Sequence, residues 1–165
     1  MLANEDELNI LFYSSLIFIT NIAATFYKEY YIYTLLFILL TISSLLFHYP
    51  CNNIYVSIID KICIVMVVLY GGFMLYNKTT DDNYLEENVD EAQRIEVFRL
   101  NSVDGSRRSL PVIIVVISFL LVNYLYFYGY CTNQYCFHPN KYMGDISHAL
   151  IHISSSFGHH FITFL

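Results

Sequence analysis

Five stretches of this sequence are apolar over the ~20 residues that a helix needs to cross a bilayer. They run approximately Asn9–Tyr27, Tyr30–Phe47, Ile54–Tyr76, Leu110–Tyr130 and Ile146–Leu165. Lipid offers backbone N–H and C=O groups no partner, so each stretch must satisfy them internally as a helix. The expected fold class is therefore all-α: a multi-pass transmembrane bundle of about five helices, one domain over residues 1–165. Two stretches carry polar residues. Asp60 and Lys61 interrupt the third, while the fifth holds four histidines and several serines. Such segments enter the membrane when neighbouring helices or a cavity satisfy their polar groups. Composition agrees, with 56% hydrophobic and only 13% charged residues, against about a quarter charged in ordinary soluble domains. A formal net charge of −6 speaks against nucleic acid as a partner, because nothing would neutralise its phosphates.

Between the third and fourth stretches lies a hydrophilic segment, Asn77–Ser109, rich in Asp and Glu. Its middle, roughly Glu86–Leu100, is expected to form a short surface helix. Lys28 sits in the first loop, and Lys78, Arg94, Arg99, Arg107 and Arg108 sit in this third one. The second loop, Tyr49–Asn53, has no Lys or Arg, and the fourth has only Lys141. By the positive-inside rule the first and third loops face the cytoplasm, giving an N-out, C-in topology. The acidic start Asn4-Glu5-Asp6-Glu7 lacks the basic region of a signal peptide, so the first stretch is expected to remain as a helix. Cys51, Cys131 and Cys136 fall in or beside the non-cytoplasmic loops, where a Cys131–Cys136 or Cys51–Cys131 disulfide would persist. The expected location is an endomembrane or the cell surface.

An ionisable side chain in a bilayer costs a few kcal/mol or more, so each one requires a reason. His48 falls at the outer end of the second helix, with Ser44 one turn below on the same face. Asp60 lies in the first turns of the third helix, which starts at that same surface. His148 and His152, four apart, share a face near the outer end of the last helix. Three segments thus deliver three imidazoles, a carboxylate and a hydroxyl to one leaflet. Three neutral His with an open position suit a catalytic Zn2+. Asp60 could then serve as general base to a water, and Ser44 as a donor or support. Taken singly, each residue has a plainer reading: an interfacial His, a helix-start Asp at the headgroups, a Ser packed between helices. His159 and His160 lie ~10–16 Å deeper by helix rise and are expected to serve packing or an inner-leaflet role. Cys131, Cys136 and His138 suggest a disulfide more than a metal loop.

The ordered set Ser44-Leu45-Leu46-Phe47-His48, Asp60, and His148-Ala149-Leu150-Ile151-His152 resembles the CREST superfamily of membrane hydrolases. That superfamily includes alkaline ceramidases, progestin and adiponectin receptors, and post-GPI-attachment lipid-remodelling proteins. The run Asp145–Ser154 looks most like the last helix of the lipid-remodelling branch. The resemblance implies zinc ligands at His48, His148 and His152, a water-orienting acid at Asp60, and a supporting group at Ser44. It also implies a membrane lipid as substrate or ligand. Family members have seven helices, and Asn77–Ser109 stands where two would be expected. The chain thus resembles a reduced member, in which a second copy or a partner chain would complete the bundle. Two other readings stay open: a non-enzymatic lipid-binding or receptor-like bundle with a structural metal or none, and an unrelated membrane protein whose acidic loop binds a cytoplasmic partner.

Overall fold

The computed structural model describes residues 8–49, 53–87 and 109–165, and among these there is no strand. Two short helices in series, α1 (Leu8–Ser15) and α2 (Phe18–Tyr27), make the first span. α3 covers Tyr31–His48 and α4 covers Ile54–Glu87. α5 runs over residues 109–123, loosens into a π-helical turn at Tyr124–Tyr128 and closes with Gly129–Thr132. A single 3-10 turn, Tyr135–Phe137, leads to the last helix, α6 (Lys141–Phe164). Four spans are long and apolar enough to cross a membrane: Ile10–Tyr27, Tyr31–His48, Ile54–Thr80 and Ser109–Phe137. α6, with 24 residues, is about 36 Å long but is not apolar enough to join them.

Helix limits follow local chemistry. Tyr49 is extended (φ −74°, ψ 146°), as the residue before a proline must be, so His48 is the last helical residue of α3. α6 begins five residues before its apolar run because the Asn140 side chain accepts a bond from the Met143 N–H (3.4 Å) and caps the helix. α4 continues past Tyr76 to Glu87, so the hydrophilic segment starts as helix. From residue 88 to 108, which takes in most of the surface helix expected over Glu86–Leu100, it lies outside the described residues. α2 ends in a turn that places Glu29 in the left-handed region (φ 61°), with Tyr30 N–H donating to Thr25 O and Glu29 N–H to Phe26 O. Cys131 is exposed, Cys136 half-buried, and both are free thiols, so the Cys131–Cys136 bridge is not formed; Cys51 lies outside the described residues.

The surface is the inverse of a water-soluble protein's. Ile32, Leu35, Ile42, Ile62, Leu69 and Leu120 are all exposed, as lipid-facing side chains would be. Exposed tyrosines gather at the two ends: Tyr49, Tyr55, Tyr130 and Tyr142 at one, Tyr27, Tyr31 and Tyr76 at the other. That distribution matches the aromatic belts of membrane proteins. Inside, α3 packs between α2 and α4, and α6 lies against α1, α2 and α4. Phe18, Tyr33, Phe37, Val67, Val115 and Ile162 form the centre of the core. Small residues let the helices approach. A Cβ on Gly158 would meet Ser118 Cβ at 3.2 Å, and one on Gly71 would meet the Tyr33 hydroxyl at 2.6 Å and His159 at 3.0 Å. At the opposite end from His48, Lys78 donates to Ile162 O (2.8 Å) and Thr163 O (3.1 Å), tying α4 to the carbonyl end of α6.

Gly71 and its neighbour give a paired test of this packing. Gly71→Ala forces α3, α4 and α6 apart and should lower stability by about 1–3 kcal/mol. Nothing lies within 4 Å of a Cβ on Gly72, so Gly72→Ala should be neutral or stabilising by up to about 1 kcal/mol through helix propensity. Thermal unfolding of the two purified variants in detergent measures the difference; equal midpoints would count against this helix arrangement.

Candidate metal centre

α3 and α6 run antiparallel, so the last residue of α3 meets the first half of α6. His48 projects from α3 toward His148 and His152, which stand one turn apart on one face of α6. The ring centroids of His48 lie 5.2 Å from His148 and 5.4 Å from His152, and the two α6 rings are 4.9 Å apart. One nitrogen from each of the three rings lies within 4.8 Å of the others, the one such His, Cys, Asp or Glu group among the described residues. The three histidines singled out from sequence therefore converge.

The donor set fits a metal of the zinc type. Tetrahedral zinc at ~2.0–2.1 Å from each nitrogen places the nitrogens about 3.3 Å apart, and the three here lie within 4.8 Å of one another. His48 Nε2 is buried and has no hydrogen-bond partner in the protein. A buried polar atom left unpaired costs about 1–3 kcal/mol, and a bound cation removes that cost.

Asp60 is 5% exposed and turned inward, whereas Lys61 reaches outward to Ser57 Oγ (2.7 Å) and over the Phe47 ring. The adjacent charges thus part company: the acid faces the bundle, and the base faces its rim. Asp60 Oδ1 accepts from Ser43 Oγ at 3.0 Å. Ser43 also lies 3.1 Å from Leu40 O, but it has one proton, and an ionised carboxylate is the stronger acceptor. Ser44, one residue on and about 100° around the helix, faces the first span instead. It is 2% exposed and pairs with Ser15 Oγ at 2.9 Å. Ser15 Oγ also lies 2.9 Å from Leu11 O.

Several residues at the centre had no part in the sequence reading. Ser14 Oγ lies 2.9 Å from His152 Nδ1, and Phe18 packs on the same ring at 5.4 Å between centroids. Ser43, Ser15 and Ser14 were legible only as serines in apolar runs, and serine packs between membrane helices without further role. The Ser14-Ser15 pair in the first third of the first span was the available signal.

His159 stands apart from the cluster. It is 1% exposed, its Nδ1 is hydrogen-bonded to the Tyr33 hydroxyl, and its ring packs on Phe37 and Phe119. One turn toward the cluster, Asn21 Nδ2 donates to Ser156 Oγ (2.6 Å). His160 Nε2 lies 2.8 Å from Thr20 Oγ1. His138, in the loop before α6, accepts from Asn140 N–H through Nδ1 (3.0 Å). No family model, curated protein or solved structure matches the chain. The centre therefore stands on its own geometry, as a three-histidine cluster with a buried carboxylate on a neighbouring helix, in a helical bundle of membrane-spanning type.

Substitution of the ligands should separate the two kinds of histidine. His48→Ala, His148→Ala and His152→Ala should each reduce zinc affinity by more than the ~10–100-fold typical of losing a ligand's hydrogen-bond partner. His159→Ala should retain zinc, measured by metal content after dialysis against a chelator. Loss of zinc from the His159 variant alone would place the metal elsewhere.

Proposed function

We propose that this chain is a zinc-dependent integral membrane hydrolase that cleaves an amide or ester bond in a lipid. The observation that supports it best is the convergence of His48, His148 and His152, from two helices, on one point at one end of the bundle. Zinc held there would supply Lewis acidity and lower the pKa of a bound water toward ~7. Asp60, held by Ser43 on the neighbouring helix, would be the carboxylate available to accept a proton as general base. Ser44 supports the site from behind, through Ser15, by fixing α3 against the first span. The substrate carbonyl would enter sideways from the bilayer, at the end of the bundle where His48 adjoins the exposed Tyr49. The resemblance of the ordered Ser44, His48, Asp60, His148 and His152 set to the CREST superfamily points to the same chemistry. With about five helices in place of seven, a second copy or a partner chain would complete the lipid pocket.

We also place the metal end on the lumenal or outer side of an endomembrane or the cell surface, with residues 77–109 in the cytoplasm, on the strength of the Lys and Arg distribution. A protease tag near Asp90 should be cleaved from the cytoplasmic side of sealed vesicles. Protection there would invert the topology.

Asp60→Asn tests the chemistry. The amide keeps the shape but cannot act as base, so zinc should remain stoichiometric while hydrolysis of ceramide-like or ester lipids falls ~10²–10⁴-fold. Zinc without hydrolysis in the wild-type chain would favour a lipid-binding or receptor-like bundle with a structural metal. Absence of stoichiometric zinc would leave only a membrane protein.

A further inference from the structure

We propose that Ser14, on the first span, is a positioning residue for the metal: it holds the His152 ring in the tautomer protonated at Nδ1 and so presents Nε2 to the ion. The inference rests on the zinc reading above and names a residue outside the three ligands, Asp60 and Ser44.

Two contacts at 2.9 Å compete for the single Ser14 proton, and the proposal gives it to Leu11 O. Ser14 Oγ donates to Leu11 O at 2.9 Å, and a hydroxyl has one proton to give. With that proton on Leu11 O, the 2.9 Å contact between Ser14 Oγ and His152 Nδ1 is carried by the histidine, with Nδ1–H donating to the serine oxygen. A neutral imidazole carries one N–H, so the lone pair is left on Nε2. Metal-binding histidines characteristically donate their other ring N–H to an acceptor in this way, which sets tautomer and ring orientation together.

The local backbone explains why Ser14 can do this. Leu11 O accepts from both Ser14 and Ser15, and hydroxyls bonded back onto their own helix bend it. The first span breaks there: Leu16 N–H donates to Tyr13 O, Ile17 N–H to Ser14 O, and Ile19 N–H to Leu16 O, all three-residue bonds. The bend separates α1 from α2 and leaves Ser14 and Phe18 gripping one imidazole between them. Thr20, on the same span, is a built-in control. It donates to Ile17 O (2.6 Å) and contacts a histidine ring, His160 (2.8 Å), outside the cluster.

The test uses the full chain in detergent. Zinc affinity, read by chelator competition, should fall about 10–100-fold in Ser14→Ala. Ser14→Thr, which keeps the hydroxyl, should stay within a few-fold of wild type, and so should Thr20→Ala. Cobalt substituted for zinc should show an altered visible absorption in Ser14→Ala alone. In metal-free protein labelled with 15N-histidine, His152 should carry its proton on Nδ1 in the wild type and exchange between tautomers in Ser14→Ala. Unchanged affinity in Ser14→Ala, or a wild-type His152 protonated at Nε2, overturns the proposal. A wild type that binds no zinc overturns the metal reading and the affinity claim with it, while the 15N spectrum still decides the tautomer by itself. If Ser14→Ala does not fold, that wild-type spectrum and the Ser14→Thr affinity decide it.

Discussion

The structure depends on satisfying a helix that is too polar to lie in lipid alone. α6 buries His152, Ser156, His159 and Thr163 on its inner side. Every one of those groups needs a partner inside the bundle, because hydrocarbon supplies none. The partners are spread along four other helices. Ser14 meets His152, Asn21 meets Ser156, Tyr33 meets His159, and Lys78 meets the last carbonyls. Each interhelical bond is worth only about 0.6 kcal/mol in a membrane protein on average. Their force lies in the alternative, since sliding α6 by a turn would strand several buried polar groups at ~1–3 kcal/mol each. The ladder thus sets one register, and that register puts His148 and His152 beside His48.

Close approach is the second condition. The ladder's rungs are short side chains or rings that reach only if the backbones come near, and Gly71 and Gly158 remove the atoms that would hold them apart. Packing His159 among Tyr33, Phe37 and Phe119 makes the lower half of the bundle a tight aromatic core. The upper half gathers nitrogen lone pairs around a point where His48 Nε2 finds no protein partner; lower in the bundle, His159 Nε2 and Asn21 Oδ1 are likewise buried without one.

The broken first span joins the two halves. Its serines turn toward the upper cluster and its Asn21 and Thr20 toward the lower part of α6. A straight helix of Leu and Ile would have crossed the membrane equally well. The polar residues give it a second task, holding α3 through Ser44 and α6 through His152, so that both ligand-bearing helices refer to one support.

From the sequence alone, hydropathy located the apolar spans, because a bilayer demands about 20 apolar residues whatever their order. Spacing placed His148 and His152 on one face, and the antiparallel order of helices brought His48 and Asp60 to the same end. Asp60 and Lys61, adjacent and opposite in charge, could not be told apart as a rim pair or a buried acid until α4 was seen to turn one inward and the other out. Ser43 and Ser44 were likewise interchangeable by type; 100° of helix rotation decided that one meets Asp60 and the other Ser15. The caps moved two boundaries, Asn140 drawing α6 back to Lys141 and α4 running on to Glu87, since hydropathy tracks lipid and not backbone bonding. Ser14 was invisible as a partner of His152 because it lies 138 residues away in the chain. Periodicity reports which face of a helix is polar, and only the packed register of four spans reports what that face touches.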